Sequence, residues 1–381
     1  MRAKTLFLVS CLLLLLSPPA YSVDVRQWEA DFWDEMRARD IPWVWALSLH
    51  NLSGSLNDED RSFEIVRNVV DKLLAHPDPA AESLYWAALI CVNAKSRKEV
   101  CRVPELVKRL MEVDADNVYS FAIYYDTELS DKAGLHKVSD EQLDWSYLDS
   151  WLERAVSLKR TESYDSYHYA DFARILEEYA QTEGVPSYLK GAPLEWEVAF
   201  YMFDQLVYPW YGGMGRVMWH CHMGQYFGRE KIVKACRKLS NKLLDDSKSM
   251  TARSDALMML SDTYLKTDPE YLRPRREAVA WGDPLKHCLN QIWKISDQQW
   301  SISYDAYDFV EEYESQGDIA ALQSMAESEG WGFQDKAGNK HQCMDALDMD
   351  DEGLIQFMGK DPAWMWCGNG ELCGLPESNN N

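Results

Sequence analysis

Apolar residues recur every three to four positions along most of this chain, and almost nowhere at every second position. That period belongs to an α-helix with one buried side. Such segments cover Asp58–Ala75, Ala80–Val92, Pro104–Val113, Asn117–Leu129, Asp140–Lys159, Thr161–Gln181, Trp196–Val207, Gly215–Phe227, Arg229–Leu244, Ser254–Lys266 and Trp300–Ser315. Asp114, Asp116, Asp140, Thr161 and Ser254 stand at or near helix starts as caps, and Pro104 suits a first helical turn. No run alternates Val, Ile and Thr, and few glycine turns are placed to join strands. The expected fold class is therefore all-α. Short helices joined by tight turns pack as antiparallel pairs, and stacked pairs build either a solenoid or a closed α/α toroid.

The ends point to export. Arg2 and Lys4 precede an apolar run from Thr5 to Leu16, and Ala20-Tyr21-Ser22 has the small-x-small form of a cleavage site. Residues 1–22 thus read as a secretory signal peptide, too short and too punctuated to span a membrane. Leu8-Val9-Ser10-Cys11 has the look of a lipobox, but the apolar run continues past Cys11, which argues against a lipid anchor there. No later segment holds 18 uninterrupted apolar residues, so no transmembrane segment is expected. The helical region runs over 23–375, any division into halves falls near 185–195, and the tail 376–381, PESNNN, reads as disordered.

Charge narrows the partners. The chain carries 39 basic and 62 acidic residues, a net charge of −23. The signal segment holds two basic and no acidic residues, so its removal leaves −25 on 359 residues. Such a protein repels nucleic acid and anionic membrane surfaces. Arg273-Pro274-Arg275-Arg276 is the one basic clump and reads as a solvated helix end. Basic proteins or peptides, cations and neutral sugars remain as partners.

The stretch MWHCHMG, Met218–Gly224, offers five soft or borderline metal ligands in seven residues. On a helix, however, His220 and His222 point about 200° apart and cannot share one ion. Met214, Val217, Met218 and Cys221 make one apolar stripe, and Ile232, Val233, Cys236 and Leu239 make another. Cys221 lies seven residues before Gly228 and Cys236 eight after it, so an antiparallel hairpin sets them side by side. A disulfide is the simplest reading; reduced core cysteines and a metal site are the alternatives. The same argument pairs Cys91 with Cys101. Cys367 and Cys373 flank a Gly-rich turn, which leaves Cys288 for Cys343. The chain has nine cysteines, and the eight beyond Cys11 of the signal segment allow 105 pairings, so spacing favours this set without proving it.

One junction carries a resemblance. In LVKRLMEVDADNVYSFAIYY, Leu106–Tyr125, an amphipathic helix ends, Asp114-Ala115-Asp116-Asn117 forms a turn, and a new helix begins with the small Ala122 on its packing side. This resembles the junction between two tetratricopeptide-like repeats, with Ala115 where that family usually has Pro. Ala256–Pro269 is a weaker echo, ending in Asp268-Pro269. The resemblance covers about 80 residues with no steady 34-residue period. It implies an irregular, tetratricopeptide-like stack whose concave face engages a protein or peptide.

The common catalytic signatures are absent: no His-Glu-x-x-His, nucleophile elbow, P-loop or Cys-x-x-Cys occurs. No catalytic residue, cofactor or metal is assigned. Carboxylates beside aromatic residues are the one plentiful resource, at Asp144-Trp145 with Asp149-Ser150-Trp151, Glu195-Trp196-Glu197 and Asp305-Ala306-Tyr307-Asp308. Paired carboxylates hydrolyse glycosides, so a secreted carbohydrate-active toroid is the alternative function. His168, within Tyr164–Tyr169, has acid–base chemistry available but reads as a helix-surface residue. Tyr208, Trp210 and Tyr211 mark an aromatic bend that would serve as a binding edge. Asn51-Leu52-Ser53 matches a glycosylation acceptor. The function expected is an exported, non-enzymatic binding or scaffold protein, periplasmic in a bacterium, with an inhibitor or immunity role as one version.

Overall fold

A computed structural model describes residues 25–51, 59–93, 100–129, 143–164, 167–183, 192–207, 214–246, 249–264, 302–334 and 340–342. The described residues are helical almost throughout. In chain order the helices are α1 Val25–Ala38, α2 Pro42–Asn51, α3 Glu59–Ala75, α4 Ala81–Asn93, α5 Val103–Val113, α6 Val118–Tyr124, α7 Trp145–Ser157 and α8 Tyr169–Glu183. They continue as α9 Leu194–Val207, α10 Gly215–Tyr226, α11 Glu230–Asp246, α12 Met250–Ser261, α13 Ala306–Gln316 and α14 Asp318–Ser328. A π-helical turn, Tyr125–Leu129, extends α6. Two three-residue strands, β1 Gly332–Gln334 and β2 Lys340–Gln342, pair antiparallel, a feature the periodicity did not announce.

Local chemistry explains where four of the helices begin. Asn117 accepts from the Tyr119 amide to start α6, Asp144 from Tyr147 to start α7, Ser249 from Ala252 to start α12, and Asp305 from Tyr307 and Asp308 to start α13. Two expected starts are corrected. Ser254 lies inside α12 rather than at its start. Thr161 starts no helix, because Leu158–Tyr164 is a non-helical strap and α8 starts only at Tyr169. The strap is held by bonds to residues far away in sequence, which overrule its local helical pattern.

Alternate helices pack on one another at the N-terminal end: α2 on α4, α4 on α6, and α3 on α5. The chain then turns back. α7 packs on α6 and α11, and α8 on α9 and α13. Trp28 and Phe32 of α1 meet Tyr179 of α8 at 5.5 and 5.1 Å and Tyr201 of α9 at 5.3 and 6.2 Å. Aromatic edges and faces packed this way add roughly 0.5–1.5 kcal/mol per pair beyond simple burial. One buried cluster runs from Trp28 to Met325.

α2, α4 and α6 are the helices that would line the concave side of an open stack. Trp43–Leu49, Ser83–Leu89 and Val118–Ile123 are all 8 % exposed or less. Helices apolar on every side are buried on every side. The chain itself covers them: Phe121 stacks on Trp151 of α7, Tyr85 meets Tyr164 of the strap, and Trp43 packs on Phe172 of α8. These three helices are therefore covered by other parts of the chain.

Two disulfides staple neighbouring helices. Cys91–Cys101 joins the end of α4 to the start of α5, and Cys221–Cys236 joins α10 to α11. All four sulfur-bearing residues are buried. α10 and α11 also approach closely at Gly224, where an added Cβ would stand 2.5 Å from Cγ2 of Ile232. Cys288, Cys343, Cys367 and Cys373 lie outside the described residues, as do the signal segment, the tail and Arg273–Arg276.

Candidate functional site

The densest polar construction in the described residues forms where the strap meets the α5–α6 turn. Backbone bonds set the register: the Val118 amide donates to the Arg160 carbonyl at 2.9 Å, and the Arg160 amide to the Asp116 carbonyl at 3.0 Å. Asp114, 2 % exposed, is the hub. Its Oδ1 accepts from Arg160 at 2.7 Å. Its Oδ2 accepts from the Tyr164 hydroxyl at 2.7 Å, the Asn117 amide at 2.9 Å and the Ser120 hydroxyl. Arg160 donates its other arm to Glu162 at 2.7 Å, and the Tyr167 hydroxyl donates to the same carboxylate. Burial, then the bond to Asp114, raises Tyr164 above the ordinary phenol range. Burial, then the bond to Glu162, pushes Tyr167 up to about 12.

Beyond the strap the chain enters α8 through His168. Tyr164 and His168 both adopt left-handed backbone, with φ 61° and 63°. That conformation costs about 1–2 kcal/mol for each residue with a Cβ, so tertiary contacts must hold it. For His168 they are specific. Its ring lies flat on Trp43 of α2, with centroids 4.8 Å apart and planes within 4°. Trp86 of α4 meets it edge-on at 6.1 Å. Its Nε2 bonds Oε1 of Glu82, at the start of α4, at 2.9 Å. An ionised carboxylate only accepts, so Nε2 is the donor in this bond and Nδ1 is the ring's other nitrogen. Oδ2 of Asp171 faces that Nδ1 at 3.9 Å. The residue read as helix surface is thus a fixed, partly covered imidazole with one nitrogen outward. Glu82 stands 86 positions away in sequence, and no spacing rule connects the two.

The other nominated residues fall elsewhere. Asp144 caps α7, and Trp145 lies beneath the Arg229 guanidinium, 5.2 Å from the ring centroid. Asp149 bonds Lys231 at 2.7 Å, and Trp151 is buried against Phe121 and Tyr125. Glu197 is buried, and the Trp196 indole donates to the Tyr304 carbonyl at 3.0 Å. Asp305 caps α13, and the Tyr307 hydroxyl donates to Glu177 at 2.8 Å. The nominated carboxylates Asp144, Asp149 and Asp305 are thus engaged in caps and an ion pair. Tyr208, Trp210 and Tyr211 lie outside the described residues. In MWHCHMG, His220 is buried with Nδ1 3.3 Å from the Tyr125 hydroxyl, while His222 is exposed with Nδ1 3.8 Å from Asp262. The histidines go to different neighbours, and Cys221 goes to Cys236.

No protein-family model, curated protein or solved structure matches this chain.

Proposed function

We propose that this is an exported, non-enzymatic binding protein that engages a basic protein or peptide through its outer helical surface. The observation that carries the reading is the charge on α8 and α13, which pack together. Their exposed residues include Asp171, Glu178, Asp308, Glu311 and Glu314, and Arg174 is the only basic residue on either helix. Together with the net charge of −23, this favours a cationic partner through complementarity and faster encounter. The covered inner helices direct the contact outward. Two disulfides suit an oxidising compartment outside the cytoplasm. The irregular tetratricopeptide-like reading draws its support from the alternate-helix packing of α2, α4 and α6.

A pull-down from the native exported fraction tests this, with the mature chain as bait. The expected result is one basic protein, retained at low salt, released by 0.5 M salt, and absent when Glu178, Asp308 and Glu311 are all changed to Lys. Retention of a sugar polymer and no protein would favour the carbohydrate-active alternative.

A further inference from the structure

The geometry points to self-association, in which the basic outer ridge of α11 in one copy docks on the acidic face of α8 and α13 in a second copy. Charge is spread unevenly along this chain. Arg229–Lys242 holds six basic residues and one acidic residue, Glu230, in a chain with 39 basic and 62 acidic residues. Arg237 is used internally: it donates to the Thr263 hydroxyl at 3.0 Å and lies 4.0 Å from the Tyr264 ring centroid. Lys231, Lys234 and Lys238 stand at i, i+3 and i+7 and form one exposed ridge. Asp149, 2.7 Å from Lys231, and Glu230, 3.6 Å from Lys234, neutralise part of it. Lys238 meets no carboxylate among the described residues.

The complement is on the same molecule. Tyr307, Glu311 and Glu314 stand at i, i+4 and i+7 on α13, and Asp171 and Glu178 are exposed on the adjoining α8. Both ridges run over seven residues, about 10 Å of helix, so ammonium groups and carboxylates come opposite one another. The two faces belong to different helix groups. α11 packs on α7, α10 and α12, whereas α8 and α13 pack on α9 and on each other. The contact therefore joins two copies head to tail.

Each face also presents an aromatic ring to solvent. Tyr226, at the end of α10 where the chain turns into α11, is 74 % exposed, and Tyr307 is 50 % exposed. Val113 is the one other large apolar residue exposed among the described residues. Exposed ion pairs contribute little by themselves, and tyrosine is a residue on which interfaces concentrate their binding energy. The net charge of −23 opposes the approach of a second copy. At about 0.15 M salt, however, charges farther apart than about 8 Å are screened, and the pairs in contact are not. This inference rests on the acidic-face reading and adds its regulation: a second copy covers the face until a basic partner displaces it.

Sedimentation velocity of the mature chain at about 150 mM salt tests it. The weight-average mass should rise with concentration across roughly 10–500 μM, as for a weak contact, and return to that of one chain at about 0.5 M salt. Lys234→Glu with Lys238→Glu should leave a monomer, as should Asp308→Lys with Glu311→Lys. Mixing the two variants should restore association, since each keeps the face that the other has lost; a variant that had merely misfolded would not be rescued. Tyr226→Ser should weaken association at least about fivefold, and a short oligolysine peptide should disperse the assembly. A chain that stays monomeric up to about 500 μM overturns the proposal, even where the pull-down still retains a basic protein, which bears on the acidic face alone. Association unmoved by either pair of charge changes, with circular dichroism unchanged, overturns it as well.

Discussion

Removing the Asp114 carboxylate should destabilise the protein more than any other single polar change in the described residues. Asp114→Ala takes away the acceptor for Arg160, Tyr164, Asn117 and Ser120 together. Arg160 is the least harmed: its side chain is 41 % exposed and still pairs with Glu162, so water and Glu162 absorb its charge. Tyr164, Asn117 and Ser120 are each 2 % exposed or less and lose a partner in a nearly dry place. Asn117 keeps its bond to the Glu162 carbonyl at 2.9 Å, which leaves Tyr164 and Ser120; an orphaned buried polar group costs about 1–3 kcal/mol, so these two would cost about 2–6 kcal/mol if they acted separately. They share one oxygen, and water entering the vacated space will serve some of them, so the expected loss is about 3–5 kcal/mol, the scale seen when one partner of a buried charged group is removed. The left-handed Tyr164 should relax with it, which frees the strap. Urea unfolding followed by circular dichroism reads the loss, and hydrogen exchange over Leu158–Tyr164 reads the release. Tyr164→Phe removes one donor and should cost about 1 kcal/mol. In the double variant the two losses should fall well short of additive, because both act on one oxygen. A loss below 1 kcal/mol for Asp114→Ala, with strap exchange unchanged, would refute this account of the strap.

Three further outcomes follow from the same geometry. Replacing Cys221 and Cys236 by Ala opens a 15-residue loop and should cost about 3 kcal/mol on chain entropy alone; non-reducing mass mapping that found Cys221 as a free thiol would contradict the bridge itself. Gly224→Ala forces Ile232 to move from a 2.5 Å collision and should lower stability by about 1–3 kcal/mol, measured as a drop in Tm with the disulfide intact. Tyr167, Tyr179, Tyr304 and Tyr307 are all pushed up to about 12, the first three chiefly by burial and Tyr307 chiefly by its bond to Glu177. Between pH 10 and 12 the unfolded chain has lost these protons while the folded chain keeps them, so their contribution to stability is complete below pH 10 and lost as pH rises through 12. Tyrosinate absorbance at 295 nm should lag in the native protein and catch up on unfolding; superimposable curves would count against these environments.

What was legible in the sequence was whatever depends on near neighbours. α3, α4, α5, α10 and α11 begin and end within two residues of the expected bounds, because periodicity and end residues act within a turn or two. The Cys91–Cys101 and Cys221–Cys236 pairs were legible for the same reason: each joins helices that adjoin in sequence. The strap was not. Its pattern is helical, but Arg160 and Tyr164 are drawn to an acceptor 46 and 50 positions away. Asp114 looked like a turn residue because its role as a hub depends on partners no local rule can see. His168 was assigned to a helix surface for want of Glu82 and Trp43, which approach from α4 and α2. His220 looked like a flank of an apolar stripe, and only the arrival of Tyr125 from the turn after α6 shows why it is buried.

The filled inner side changes what the tetratricopeptide-like resemblance can imply. In an open stack each repeat touches only its neighbours, and the inner helices stay free for a peptide. Here Trp43, Trp86 and Phe121 of α2, α4 and α6 are each capped by a residue from α7 or from the strap and the entry to α8. α1 likewise meets α8 and α9 through Trp28 and Phe32. The back-folded half therefore occupies the place a ligand would take in an open array, fastened by aromatic stacking and by Asp114 and Glu82. Exposing those inner helices would strip water-averse surface from all three and orphan the buried donors around Asp114 at once. At several kcal/mol for the hub alone, that opening is expensive against a total stability of about 5–15 kcal/mol. The basic partner proposed above would instead meet the acidic outer faces of α8 and α13, whose Asp171, Glu178, Asp308, Glu311 and Glu314 are already exposed to water.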